Sequence, residues 1–565
     1  MFNKVAEKTT ALLLFIGAPF ATVFLITETV TDPVNATKLA VSGALAFALI
    51  FIALTFNLKA LVSHHKVFLI FGALFLLFSV SAVLGSNSPM SQNVYGSFGR
   101  NTGFITYLVL LLISISALTL TERSSFQRII WGLQIAGIIN VIYCLWVISF
   151  GDFIGWNNPY GNILGLFGNP NFISSFLGIF ITTVLTLVAA PTTSWTVRAV
   201  GLGVSLVAFY EIVDSNSIQG IVVTGGGIGI VGFFAVRSYL KSKLITGAYV
   251  LSVTALGVLA IMGALQKGPF TFIYKTSVSL RGEYWRAGIT MGMDHPFNGI
   301  GMDSYGDWYR RARSENAATV LPGPKVITNA AHNVVIDFFA YGGFPLLFAY
   351  LGMLAMAAIA IIKVARRMRG YDAVFIAMAT AWICYQTQSL ISINQVGLAL
   401  WGWVLTGALI AYERVTRGGV EEKVIAGKAV KAKVKSASGV ISPQLVAGIG
   451  AVVGVLIAVP PMAADTKWRS ALNSKDVAQV MAALEPGYLN PSDSQRLAQA
   501  VQLLISSELP DQARDIAIKG ITYNPEYFDA WRVFYYLPDA TEEEKAQALL
   551  NMKRLDPRNP DVLDQ

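Results

Sequence analysis

Between Ala11 and Met462 the chain returns repeatedly to apolar runs of roughly 17 to 25 residues. At about 1.5 Å per helical residue, each is long enough to cross about 30 Å of hydrocarbon. About thirteen such spans are expected, at 11–27, 38–57, 67–85, 103–121, 128–149, 171–190, 197–213, 218–236, 245–264, 333–362, 373–390, 395–412 and 442–462. The 333–362 run is too long for one upright span, and Gly342, Gly343 and Pro345 predict a kink or a short re-entrant start there. Only 13% of the 565 residues are charged, against about 25% in a soluble domain, so water is not the main solvent. The expected fold class is all-α, a polytopic membrane protein of about 12 to 13 transmembrane helices with a small soluble α-helical repeat domain.

The net charge of +9 does not point to nucleic acid, because the basic residues are sorted by membrane side. With Lys4 and Lys8 placed in the cytoplasm, alternate loops carry Lys59 and Lys66, Arg123 and Arg128, Arg198, Arg237 to Lys243, Lys363 to Arg369, and the run from Arg414 to Lys435. The opposite loops are nearly bare apart from Lys38, Arg100 and the long 265–332 segment, whose basic residues therefore call for a functional reason. This asymmetry predicts a cytoplasmic N-terminus and an outside 265–332 loop. Cys144 and Cys384 both fall within spans, so no disulfide framework or thiolate metal site is expected. The first apolar run has no recognisable small-residue cleavage site and is read as a span.

Four segments are expected: a 1–413 membrane domain, a basic cytoplasmic linker at 414–441 beside anionic lipid, a last transmembrane helix at 442–462, and a soluble domain at 463–565. Within the last, Leu489-Asn490-Pro491, Tyr523-Asn524-Pro525 and Leu555-Asp556-Pro557 recur at intervals of 34 and 32 residues, the tetratricopeptide period. Two to three such helix pairs are expected, on the face opposite the N-terminus, where they would offer a protein partner a surface or pack on the membrane domain.

Ionisable side chains are costly in lipid, so those gathered in the 265–332 segment and the following span entry are the candidates for chemistry. Arg281 and Trp285 are four residues apart, which on a helix places guanidinium and indole on one face, ahead of a Gly-rich turn at 296–301. His332 begins the next span beside Asn333, where an imidazole can take a proton near neutral pH.

In this region the chain resembles the O-antigen ligase and O-antigen polymerase superfamily, which shares an Arg-x3-Trp element, a Pro-x2-Gly-x-Gly turn and an Ala-His-Asn span entry. Arg281, Trp285, Pro296, Gly299, Gly301, Ala331, His332 and Asn333 match in order. Gly168-Asn169-Pro170-Asn171-Phe172 and Gly96-Ser97-Phe98-Gly99-Arg100 fit upstream, so that the likeness covers most of 90–410. The resemblance implies a transferase of the bacterial cytoplasmic (inner) membrane in which a glycan leaves a polyprenyl diphosphate for a lipid, glycan or protein acceptor at its outer face; no metal or cofactor is expected. It implies that Arg281 holds the diphosphate and His332 is the base on the acceptor hydroxyl. Guanidinium suits phosphate oxygens and stays charged as the leaving group gains charge.

One departure stands out. Where such ligases often place a second arginine after a serine, this chain reads Asp214-Ser215-Asn216-Ser217-Ile218-Gln219-Gly220, and Gln219 can bond phosphate without neutralising it. Arg100, Arg286 and Lys275 are candidates for the missing charge. Trp285, Asn333, Asn169 and Asn171 complete the expected substrate contacts, the two last also expected to cap and start a helix. Arg310, Arg311 and Arg313 are expected to form a basic face on lipid headgroups, and Asp337 to make a polar contact between spans. No Asp-x-Asp motif or His/Cys cluster suggests a metal. A polymerase or a ligase acting on protein would share these motifs, whereas a lipid-linked glycan transporter would want charges spread along its inner cavity.

Overall fold

The computed structural model describes residues 2–156, 158–417 and 441–564, and its named elements are all helices. Residues 418–440, nearly all of the expected basic linker, lie outside the described residues. Eight of the described helices are long and apolar enough to cross a membrane, or nine if a bent pair near the C-terminus is one span. One of the eight, Asn35–Leu84, takes in two expected spans, 38–57 and 67–85, and loses helical geometry only at His65 (φ −128°, ψ 25°).

That break is the bend of a hairpin. At one end of the bundle Asn35 Nδ2 donates to the Gly99 carbonyl at 2.9 Å, and just past the other arm Ser86 Oγ donates to the Ile300 carbonyl at 2.9 Å. His65 meets Arg414 at 3.1 Å at the opposite end. The shorter or more polar helices Lys4–Val23, Phe104–Ala117 and Ala373–Ser389 pack within the bundle. Val396–Arg417 forms its buried centre, and Lys243–Ala264 lies at its rim. An aromatic knot of Phe75, Tyr107, Phe338 and Tyr350, with ring centroids 4.4 to 6.5 Å apart, joins the central helices by dispersion and edge contacts.

The kink foreseen in the tenth expected span is a true interruption. Val334–Arg367 leaves helical geometry at Gly342 (φ −141°, ψ 18°) and Gly343 (φ 64°, ψ −160°). Backbone groups released in an apolar environment need partners, and the 296–301 turn supplies them: Phe344 N–H donates to the Pro296 carbonyl at 2.8 Å, Ile300 N–H to Ala340 at 2.9 Å and Gly301 N–H to Tyr341 at 3.1 Å. A β-carbon on Gly299 would lie 2.2 Å from Tyr341 backbone, and one on Gly343 2.2 Å from the Pro296 carbonyl oxygen. The Pro-x2-Gly-x-Gly element is thus a backbone clamp on the broken helix, fixing the height at which His332 enters it.

The last expected span is Pro443–Ala458, which bends by 51° into Pro460–Ser474. Gly450 and Gly454 let it approach the first arm of the hairpin helix so closely that a β-carbon on Gly454 would sit 2.1 Å from the Gly43 carbonyl oxygen. Beyond the bend the helices Pro460–Ser474 and Val477–Leu484, Ser494–Ser506 and Pro510–Tyr523, Phe528–Tyr535 and Glu542–Leu555 pack pairwise around their own apolar core, which includes Trp468, Leu504, Ile516, Phe534 and Leu555.

This domain is docked on the membrane domain at the end that carries the 265–332 segment. Asp465 accepts from Thr31 N–H and Asp32 N–H, each at 2.8 Å. The recurring Asn/Asp-Pro positions take part: Asn524 Nδ2 donates to Asp307 at 3.1 Å, and Asp556 accepts from Arg313 at 2.7 Å and Arg310 at 3.0 Å. Arg311 pairs with Glu526. The expectation that Arg310, Arg311 and Arg313 touch lipid headgroups is therefore corrected. They sit on or just after the helix Tyr305–Ala312, and their charges are met by carboxylates of the repeat domain, with the Arg313 and Asp556 side chains both 0% exposed. Sequence periodicity places arginines on a helix face but does not say which body that face meets.

Candidate active site

A cavity of about 490 Å³ lies between this end of the bundle, the 265–332 segment and the repeat domain. It brings together three residues distant in sequence: Arg100, Arg281 and His332. Arg100 reaches it from a loop pinned by Asp303, whose carboxylate accepts from Ser97 N–H at 2.8 Å and from Thr102 Oγ1 at 2.9 Å. Arg100 Nε donates to Asn329 Oδ1 at 3.0 Å, leaving its terminal nitrogens turned to the cavity without a hydrogen bond to another described residue.

Arg281 comes from the helix Thr276–Asp294 and is held only by two long contacts, 3.4 Å each, to Ser277, so its guanidinium also keeps donors to spare. Burial lowers the pKa of both arginines, and both remain cations at neutral pH.

His332 is held in the left-handed region at φ 55°, a conformation that costs a residue with a β-carbon roughly 1–2 kcal/mol. Two contacts enforce it. Asp337 accepts from the preceding Ala331 N–H at 2.7 Å, and Asn333 caps the following helix by accepting from Val335 N–H at 3.0 Å and Ile336 N–H at 3.2 Å. The imidazole lies against Tyr284, ring centroids 5.4 Å apart. Burial first, then the charges of Arg281 and Arg100, push its pKa down to about 3, so it is a neutral imidazole with no proton to shed before it can accept one.

The other expected contacts divide. Asn169 and Asn171 line the cavity while starting a helix: Asn169 Oδ1 accepts from Asn171 N–H at 2.9 Å and Asn171 Oδ1 from Ser217 Oγ at 2.8 Å. Asn333 stands beside His332 as a helix cap. Trp285 lies outside the cavity wall and packs on the apolar core, and Tyr284 takes the place beside Arg281 instead. Gln219 is buried in the bundle, where its amide donates to Gln388 at 3.2 Å. Arg286 is exposed near Glu283, and Lys275 is tied to Asn216 at 2.8 Å. Of the cations proposed for the missing charge, Arg100 is the one the fold carries into the cavity.

Sequence reasoning missed Asp303, Asn329 and Tyr284, whose roles depend on contacts across 200 residues or on the neighbouring helix face. It also missed the repeat-domain residues Asp493, Gln495 and Tyr527 on the cavity wall.

Fold and site together define a polytopic α-helical membrane protein whose cavity at one end of the bundle holds two arginines and a histidine. Residues 203–351 match the family model described as O-Antigen ligase, a stretch that includes Arg281 and His332 but neither Arg100 nor the repeat domain. The match supports the O-antigen ligase superfamily and, in general terms, a glycosyltransferase of that type. No curated protein matches the chain.

Proposed function

We propose that this protein transfers a glycan from a polyprenyl diphosphate carrier to an acceptor hydroxyl at the outer face of the cytoplasmic membrane. The observation that carries this reading is the meeting of two incompletely bonded guanidinium groups and a neutral imidazole in one cavity at the bundle end. Arg100 and Arg281 hold the diphosphate, and their charge stabilises it as the bond to the anomeric carbon breaks. His332 takes the acceptor's proton as the hydroxyl oxygen attacks that carbon; the products are the glycosylated acceptor, the free polyprenyl diphosphate and a proton released from the imidazolium.

A depressed pKa at His332 is consistent with this order of events. After burial, the charges of Arg281 and Arg100 depress it, so binding the anionic diphosphate offsets that electrostatic part and raises the basicity of the imidazole when the acceptor arrives.

Separate failures test the assignment. His332→Ala, purified and shown to be folded, should lower the transfer rate roughly 10²- to 10⁴-fold while polyprenyl diphosphate binding survives. Arg281→Ala should weaken that binding by roughly tenfold or more, with Arg281→Lys rescuing poorly for want of the planar fork. Wild-type transfer by His332→Ala would remove the catalytic-base role.

A further inference from the structure

The cavity is not closed by the membrane domain alone. Asp493, Gln495 and Tyr527 of the repeat domain form part of its wall. Of its charged lining residues, Arg100, Arg281 and Asp307 come from the membrane domain and its 265–332 segment, and Asp493 comes from the repeat domain. Asp307 is occupied by Asn524 and Gln92, each at 3.1 Å. Asp493 uses one oxygen to cap the helix Ser494–Ser506 through Arg496 N–H at 2.9 Å. Its second oxygen, the Gln495 amide and the Tyr527 hydroxyl make no hydrogen bond to another described residue.

From this wall we infer an acceptor subsite built by the repeat domain, in which Asp493, Gln495 and Tyr527 take a neutral, hydroxyl-rich sugar unit. The inference rests on the glycan-transfer reading and deepens it. A carboxylate oxygen accepts hydrogen bonds from sugar hydroxyls, an amide both donates and accepts, and a tyrosine ring covers the apolar C–H face of a pyranose while its hydroxyl bonds at the edge. A carboxylate also repels phosphate, so Asp493 disfavours the donor diphosphate at this wall. Binding of a peptide acceptor on the same wall is the competing outcome that the experiment separates.

Binding to the full-length protein in nanodiscs tests this with three probes: a panel of neutral disaccharides (maltose, lactose, cellobiose and N,N'-diacetylchitobiose), inorganic pyrophosphate, and a serine-rich peptide. Asp493→Asn keeps the helix cap, so loss of the domain does not confound it. At least one disaccharide should bind the wild type, and Asp493→Asn should weaken it by about tenfold, with smaller losses for Gln495→Ala and Tyr527→Phe, while pyrophosphate binding is unchanged. Arg281→Ala should do the reverse. No disaccharide binding, no effect of Asp493→Asn, or dependence of peptide binding on Asp493 would each overturn the subsite. Pyrophosphate binding that is absent or indifferent to Arg281→Ala, with sugar binding intact, would instead sink the transferase reading.

Discussion

At the scale of single residues the site turns on a histidine that its surroundings hold neutral. His332 has a folded pKa of about 3 against an ordinary 6.5. Between those values the unfolded chain binds a proton that the folded one refuses, so this residue withdraws stability as pH falls through that window. Diphosphate seated between Arg100 and Arg281 should lift the folded value, and the lift is measurable as protons taken up. Calorimetry at about pH 5 in buffers of different ionisation enthalpy should show proton uptake when inorganic pyrophosphate binds, reduced in His332→Ala. Equal uptake in the two proteins would mean that the anion does not sit near the imidazole. Asp303, which pins the Arg100 loop, and Asp307 on the cavity wall are each pushed up to about 6 by burial; both are present in the two proteins and cancel in the comparison. The sequence made His332 and Arg281 legible because each lies in a local motif. Arg100 was legible only as one of three candidate cations, because its approach to the cavity depends on Asp303 holding a loop 200 residues away.

Among elements, the connection that distinguishes this chain is the seam between the helix Tyr305–Ala312 and the repeat domain. Arg313 and Asp556 are both fully buried there, with Arg310 on the same carboxylate. Removing one partner strands a buried charge, so Asp556→Ala should weaken the seam by about 3–5 kcal/mol, whereas replacing all three members together, Arg310→Leu, Arg313→Met and Asp556→Leu, should recover much of the loss. Hydrogen exchange across 305–312 and 528–535 reports the difference, and unchanged protection in Asp556→Ala would show that the ion pair does not hold the domain. The 34- and 32-residue recurrence announced helix pairs ending at Asn/Asp-Pro, but not that these turn residues would face the membrane domain: Asn524 and Asp556 spend their polar atoms on Asp307, Arg310 and Arg313. Periodicity encodes the core of a repeat, while docking depends on surface charges that no local pattern relates. The broken helix was more transparent, since Gly342, Gly343 and Pro345 carry their backbone consequences locally.

For the whole molecule, the fold gathers the 265–332 segment, the cavity and the repeat domain at one end of the bundle, and the Lys/Arg asymmetry makes that end extracytoplasmic in our proposal. Cysteine labelling tests the orientation on a quiet background, because Cys144 and Cys384 are both buried. A cysteine at the exposed Leu550 should react with an impermeant maleimide in intact spheroplasts. Reaction only after permeabilisation would reverse the orientation. Spans were legible because hydrocarbon demands long apolar runs. The cavity was not, since its walls come from loops, a long outer segment and a separate domain that meet only in three dimensions. The most direct measurement is a transfer assay in proteoliposomes with a labelled polyprenyl-diphosphate glycan in the leaflet facing the repeat domain and a neutral oligosaccharide acceptor. Glycan transfer predicts that the label leaves the lipid and appears covalently on the oligosaccharide, with free polyprenyl diphosphate released in equal amount. Label that stays on its carrier, or crosses the bilayer still attached to it, would contradict the proposal that this protein is a transferase.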